Sequence, residues 1–245
     1  MGTLPLKVHS FESLGTHEGP GIRLVVFLQG CHLRCLYCHN PDTWHLEGGT
    51  FVMPEEILTM LEKERPYFSS GGGLTVSGGE PLIQRHALYD LFSMARKAGF
   101  NTALDTNGAI LDDATRNLLT ETDLVLLDLK DVREEHHKKL TGVSNYVPLA
   151  FADYLEKIGK RYWVRHVLVP GYTLQPEHLH LLGRRLAGRK ALERLEILPY
   201  HTYGVYKYKE LGIPYQLSGL QPPGPEQVAE AKQILQQYIP DVRIR

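Results

Sequence analysis

An α/β fold with a parallel sheet is predicted by three observations. Short apolar, β-branched runs alternate along the chain with longer segments of helical period, glycines and prolines punctuate the joins, and chemistry-bearing polar residues collect just after the apolar runs. Six strand–helix repeats are visible in the sequence, too few for a complete eight-stranded barrel, so an open doubly wound sheet or a partial barrel fits. In either architecture ligands gather at the carboxyl ends of the strands.

His9-Ser10-Phe11-Glu12-Ser13 leads into Gly15-Thr16-His17-Glu18-Gly19-Pro20-Gly21, where glycines and a proline predict irregular backbone. Residues 22–28 form a nearly continuous apolar run, the pattern of a strand buried on both faces, and it ends at Gly30 directly before Cys31. Pro54 opens a helix with Glu55 and Glu56 in its first turn, Ile57, Leu58 and Leu61 on one face and Pro66 near its end. Strands follow at 74–77, 101–105, 123–129, 161–169 and 195–198. Helices follow at 81–98, 111–121, 146–158, 176–187 and 225–238. Lengths of this order suit right-handed crossovers, so the sheet is expected to be parallel.

A formal net charge of -1 on 245 residues gives no electrostatic case for nucleic acid or a membrane surface. No apolar stretch approaches transmembrane length and no basic leader precedes one, so a soluble, cytoplasmic protein is expected. A reducing compartment would also keep thiols available as ligands.

All 3 cysteines lie in Cys31-His32-Leu33-Arg34-Cys35-Leu36-Tyr37-Cys38. An odd number at such short spacing reads as a ligand set rather than a disulfide framework. Two metal readings stand beside an inert loop. One is a four-iron cluster with three thiolates and one open iron; the other is a closed Cys3His zinc site completed by His32 or His39.

Each of the other strand ends also carries polar groups: Gly78-Gly79-Glu80, Asp105-Thr106-Asn107-Gly108, Asp128 and Lys130, Arg165 and His166, and Tyr200-His201. Singly, these read as ordinary turns; together they point to one pocket. Gly78 and Gly79 allow backbone carbonyls close to a ligand, and Glu80 adds an acceptor suited to an ammonium group. Arg165 and Lys130 suit a carboxylate, although Lys130 has a competing role as a partner of Asp105 or Asp128. His201 is either a base-contacting group or a loop histidine. A ligand with both an ammonium and a carboxylate group, an amino acid moiety, would also chelate an open iron.

The residues now on the page resemble the radical S-adenosylmethionine (SAM) enzymes and, among them, the activating enzymes of glycyl-radical proteins of the pyruvate formate-lyase type. The resemblance rests on Cys31-x3-Cys35-x2-Cys38 with Tyr37 and His39-Asn40-Pro41, on the lead-in Gly19-Pro20-Gly21-Ile22-Arg23 with Phe27, and on Gly78-Gly79-Glu80-Pro81. It continues through Asp128-Leu129-Lys130, His137, Thr141-Gly142, Asn145, Val169-Pro170-Gly171 and Leu198-Pro199-Tyr200-His201.

The resemblance implies a radical SAM fold, a partial (β/α)6 TIM-like barrel, with residues 1–245 as a single domain that includes the N-terminal segment 1–21 and the cluster loop 31–40. It implies a 4Fe–4S cluster on Cys31, Cys35 and Cys38, with SAM chelating the open iron. Gly78, Gly79, Glu80, Asp105, Lys130 and Arg165 would position SAM, with Tyr37, Leu198 and His201 also at the cofactor and the last two near its adenine. Asp105, Thr106 and Asp128 match a monovalent-cation site. Reductive cleavage of SAM would give a 5′-deoxyadenosyl radical that takes hydrogen from a backbone glycine of pyruvate formate-lyase, whose glycine-bearing loop would meet residues 128–145. Reduced flavodoxin or ferredoxin is the expected electron donor, and a monomer is expected.

Several relatives that activate other glycyl-radical enzymes carry an inserted, Cys-rich ferredoxin-like segment that three cysteines exclude here, as the pyruvate formate-lyase type lacks it. Glu18 stands where the family more often has Asp, which puts a peptide contact by that carboxylate in doubt. Other readings are an activase of another glycyl-radical enzyme such as anaerobic ribonucleotide reductase, a radical SAM enzyme acting on a small molecule, and a non-enzymatic zinc or electron-transfer module.

Overall fold

In the computed structural model, which describes residues 2–68 and 71–245, the chain forms two compact units. The first takes the residues up to His32 together with Thr43–Leu126, and the second takes Leu33–Asp42 and Leu127–Arg245.

The first unit contains strands β1 (Leu6–Gly15), β2 (Arg23–Leu28), β3 (Thr50–Val52), β4 (Gly73–Gly78) and β5 (Asn101–Thr106), and helices α1 (Pro54–Glu64), α2 (Arg85–Lys97) and α3 (Asp113–Thr120). β2 and β4 run parallel with Leu28 opposite Gly78, and β4 and β5 run parallel with Val76 opposite Leu104. Leu24, Val25, Val26, Leu74, Val76, Ala103 and Leu104 are sealed from solvent, as a strand covered on both faces requires. The buried face of α1 carries Ile57 and Leu61, and the side chain of Glu56 accepts from the Met53 N–H at 3.0 Å, closing its first turn.

Strand β6 (Leu124–Asp128) runs across the boundary of the two units. The second unit continues with α4 (Glu134–Thr141), α5 (Tyr146–Lys157), β7 (Tyr162–Leu168), α6 (Pro176–Leu186), β8 (Leu192–Pro199), α7 (Val205–Glu210), α8 (Pro225–Gln236) and β9 (Val242–Ile244). β7, β8 and β9 are parallel neighbours, with Arg165 opposite Glu196 and Ile197 opposite Ile244. The strand order is β3-β1-β2-β4-β5-β6-β7-β8-β9.

Two expectations are corrected. The sheet is mixed rather than parallel throughout, because β1 pairs antiparallel with both β2 and β3. The N-terminal segment that reads as an irregular lead-in is that strand. Its pairing slips between Val8 and Ser10 and again between Glu12 and Gly15, and most of it is partly or fully exposed, so its side chains need not alternate cleanly. The helix expected from residue 81 is a 3-10 turn at Pro81–Gln84 followed by α2 from Arg85. Among the described residues no helix is long and apolar enough to cross a membrane.

Candidate active site

The residues singled out from the sequence divide between the two units, and each set has its own supports. In the first unit the lead-in to β2 is fastened by Arg23, which is fully buried. Its guanidinium donates to the carbonyls of Pro20 (3.0 Å), Gly71 (2.8 Å) and Leu74 (2.7 Å), to the Asn101 side chain (3.0 Å) and to the Thr75 hydroxyl. The Thr75 hydroxyl in turn donates to the Glu18 carbonyl at 2.6 Å. Burial draws the Arg23 guanidinium down to about 10, with Asp123 opposing that fall; it remains a cation at neutral pH, and its fork holds six acceptors from the lead-in, the turn before β4, β4 and β5.

Beyond β2 the backbone locks the approach to Cys31. Gly30 N–H donates to the Thr43 carbonyl (2.8 Å), Glu80 N–H to the Gly30 carbonyl (2.8 Å) and Gly79 N–H to the Leu28 carbonyl (2.9 Å). Gly78 has φ +111°, and a Cβ there would lie 2.3 Å from the Leu28 nitrogen; a Cβ on Gly79 would lie 2.3 Å from the Gly30 oxygen. Both positions therefore exclude any side chain, because the protein's own backbone passes there.

Glu80 is fully buried. One carboxylate oxygen accepts from the Leu82 N–H (2.9 Å) and the Thr106 hydroxyl (2.6 Å), the other from the Asn107 N–H (2.8 Å). The carboxylate thus joins the Gly-Gly-Glu-Pro turn to the end of β5. Burial pushes its pKa up to about 7, and the three hydrogen bonds limit the rise. Next to it, the Ser77 hydroxyl donates to Asp105 at 2.6 Å, and the Thr106 oxygen also accepts from the Gly108 N–H at 3.0 Å. Ser77 is a supporting residue the sequence reading passed over, although its place beside the glycines at a strand end was a signal.

In the second unit, the loop 33–42 is clasped by the end of α4. The Arg34 N–H donates to the Thr141 carbonyl (2.8 Å) and the Leu36 N–H to the Leu140 carbonyl (2.9 Å), so the loop satisfies carbonyls that a helix end leaves open. Gly142, at φ +84°, ends α4 in the left-handed conformation with its N–H on the Lys138 carbonyl at 2.9 Å. A turn from Cys35 O to Cys38 N (3.0 Å) sets the spacing of these two cysteines, of which Cys35 is buried and Cys38 partly exposed. Between them Tyr37 packs with Leu140, Val169, Tyr200 and Leu217.

Lys130 Nζ lies 2.6 Å from Asp128 and 5.7 Å from the centre of the Tyr37 ring. Of the two carboxylates weighed from the sequence, Asp128 is the one this ammonium meets. Burial alone would lower the lysine pKa, but Asp128, Tyr37 and Cys35 outweigh it and hold the group well above its ordinary value. Arg165 finds a partner the sequence reading did not weigh: its Nε donates to Glu196 on the neighbouring strand at 3.2 Å. Glu196 is fully buried and also receives Arg245 Nε at 3.0 Å, with Arg194 at 3.9 Å. His166 braces the strand end beside Lys130: its Nδ1 donates to the Leu129 carbonyl at 2.7 Å, and its Nε2 lies 3.0 Å from His178.

Leu198 lies near the end of β8, half-buried, and His201 follows. The His201 ring stacks on His39 at 3.9 Å, and His39 Nε2–H donates to the His201 carbonyl at 3.3 Å. Burial, with His201 and nearby lysines, lowers the His39 pKa to about 4, so the ring is neutral. One ring nitrogen of His39 is therefore turned to a carbonyl rather than to a metal.

The donor set suits the cofactors the resemblance implies. No disulfide engages the three thiols, and thiolate sulfur is the donor that iron–sulfur clusters take. The Tyr37 hydroxyl is buried with no protein hydrogen-bond partner, on a side chain that follows Cys35 and precedes Cys38 in the chain; a polar ligand group there would give it one. Among the described residues no three His, Cys, Asp or Glu side chains converge on a single-ion site.

Residues 25–182 match the model of the radical SAM superfamily. The chain is 44% identical over 235 residues to the pyruvate formate-lyase 1-activating enzyme of Escherichia coli, covering 95% of this chain and 96% of that protein. It is 45% identical over 236 residues to the pyruvate formate-lyase-activating enzyme of Streptococcus mutans, covering 93% and 90%. Among solved structures, a radical SAM methyltransferase from Sphaerobacter thermophilus superposes with a TM-score of 0.66 at 16% identity, over 99% of this chain and 77% of that one. A domain of pyruvate-formate lyase-activating enzyme from Bacteroides vulgatus gives 0.61 at 25% identity, over 71% and 99%. Agreement of this extent with the cysteine loop, the Gly-Gly-Glu turn and the strand-end residues described above places the chain in the radical SAM superfamily and, within it, in the family of pyruvate formate-lyase activating enzymes.

Proposed function

We propose that this chain activates pyruvate formate-lyase by generating a radical on a glycine of that enzyme's backbone. The observation that carries the reading is identity of 44–45% with proteins named for that activity, along almost the whole chain, joined to a loop of three thiols unbridged by disulfides. Cys31, Cys35 and Cys38 hold the 4Fe–4S cluster, which supplies reductive cleavage of SAM to a carbon radical able to remove the glycine hydrogen. The chain's own work is to bind, orient and exclude water.

Carbonyls of the Gly78-Gly79 turn, with Glu80 and Asp105 behind them, receive the ammonium end of SAM. Lys130 and Arg165 receive the carboxylate end, each already steadied by an acidic neighbour. Tyr37, Leu198 and His201 enclose the remainder, with Leu198 and His201 toward the adenine. Asp105, Thr106 and Asp128 hold a monovalent cation. Residues 128–145 receive the glycine-bearing loop. Reduced flavodoxin or ferredoxin supplies the electron, and the protein works as a cytoplasmic monomer. The family match runs through both compact units, which supports one functional domain over residues 1–245.

The test is electron paramagnetic resonance of pyruvate formate-lyase after anaerobic incubation with reconstituted protein, SAM and reductant. A glycyl radical signal is expected; none, despite an intact cluster, would overturn the substrate assignment. Wild-type reductive cleavage of SAM in a Cys35→Ala variant would overturn the ligand set.

A further inference from the structure

Residues 38–42, which carry the chain away from the last cysteine, lie in the grip of a single short segment of the same unit. The Tyr208 hydroxyl donates to the Cys38 carbonyl at 3.0 Å, and its ring is buried. The preceding Lys207 places Nζ 2.9 Å from both Asn40 Oδ1 and Asp42 Oδ2. On the near side, His201 covers the His39 ring. Gly204 passes so close that a Cβ would lie 2.6 Å from the His39 carbonyl oxygen. Every residue of 38–42 except Pro41 is thus met by residues 201–208, and Pro41 has its φ fixed by its own ring.

We infer that Lys207 and Tyr208 are positioning residues for the cluster. They hold Cys38 and the turn behind it in the ligand-bearing conformation before any metal arrives. The inference rests on the reading of Cys38 as a ligand. Its physical basis is the cost of ordering: a loop that must be frozen on metal binding loses conformational entropy at that moment, and a loop frozen beforehand by its own protein does not. Lys207 suits the task because one ammonium can serve two acceptors with its three donors. Tyr208 suits it because a phenol on a rigid ring reaches a carbonyl with only two side-chain torsions to fix.

The full-length protein, prepared anaerobically without metal, is alkylated with iodoacetamide under native conditions, and the rate at each cysteine is read by peptide mass mapping. Tyr208→Phe removes the bond to Cys38 with little change of volume, and Lys207→Met removes the charge. Each should raise the rate at Cys38 about two- to tenfold, the range expected for one net hydrogen bond, and leave Cys31 near its wild-type rate. Lys207→Arg should restore the slow rate. After reconstitution with iron and sulfide, Tyr208→Phe should load the same iron content yet show a changed reduction potential. An unchanged Cys38 rate in both variants overturns the inference, and so does an equal rise at all three thiols. If the clamp governs Cys38 but Cys38→Ala loads a full cluster, the ligand reading fails and the clamp stands.

Discussion

Glu80 in the first unit and Glu196 in the second are both withdrawn completely from solvent, and the chain meets the cost of burying them with different chemistry. Glu80 is met by uncharged donors, two backbone N–H groups and one hydroxyl. Glu196 is met by guanidinium groups, those of Arg165 and Arg245 at bonding distance and Arg194 farther off. Neutral donors fix the direction of a carboxylate but compensate its charge poorly, so the proton affinity of Glu80 rises to about 7. Guanidinium donors answer charge with charge and tie β7, β8 and the residue that follows β9 through one side chain. The turn that precedes α2 is thus built for orientation, and the β7–β8–β9 edge for cross-strand attachment.

The comparison is broken most severely at Glu196. Glu196→Ala takes the carboxylate away from the buried Arg165 guanidinium, while Arg194 and Arg245 reach solvent, and a loss of about 3–5 kcal/mol in urea unfolding is expected, the range for removing one partner of a buried pair. A loss below about 1 kcal/mol would show that the arginines turn to water instead.

At Glu80 the expected signature is in pH. Its folded pKa lies above the ordinary value of 4.5, so its contribution is fully present below about 4.5 and is lost as pH rises through about 7. Wild-type stability measured against Glu80→Gln should therefore decline across that window, by about 3 kcal/mol at most. Equal pH profiles for the two proteins would contradict the neutral-donor account. At pH 5, where the wild-type group carries its proton, Glu80→Gln should cost only about 1–2 kcal/mol, since the amide keeps one acceptor and turns N–H groups toward existing donors.

The smallest effect is expected at an exposed carboxylate. Asp112 caps α3 by accepting from the Thr115 N–H at 2.9 Å and pairs with Arg85, and these bonds lower its pKa to about 2, with the Arg85 bond the largest cause. Asp112→Ala should cost about 1 kcal/mol, the usual worth of a cap. Its pH sign is opposite to that of Glu80: the contribution is present above about 4 and lost as pH falls through about 2, a difference that thermal melts at pH 2 and pH 6 would register.

Much of this was legible in the sequence because buried parallel strands advertise themselves. Residues 22–28 could hardly be anything else, and the polar groups read at strand ends do sit there except Arg165 and His166, which lie within β7. β1 escaped because Lys7, His9, Ser10, Glu12 and Ser13 face partly or wholly into solvent, so the apolar period is diluted. α4, Glu-Glu-His-His-Lys-Lys-Leu-Thr, buries only His137, Leu140 and Thr141, and no hydrophobic stripe marks it. Partnerships were harder than positions. Glu80 reads as an acceptor for a ligand, yet which donors it faces depends on how β5 ends. Arg165 and Glu196 are 31 residues apart and become neighbours only through the register of β7 on β8.

The 2.3 Å that a side chain on Gly79 would leave to the Gly30 oxygen carries a lesson for transplantation. Gly30 immediately precedes Cys31, and its carbonyl is held by the Glu80 N–H, so the position of the first cysteine is dictated by a turn some fifty residues downstream. Moving the cysteine motif alone onto a foreign scaffold would move three thiols without the part that aims the first of them. For the first cysteine alone, the smallest portable module is Gly30-Cys31 together with the Gly-Gly-Glu turn and the end of β5 that receives Glu80. A library that varies residue 79 should return glycine even when selected only for the correct placement of Cys31.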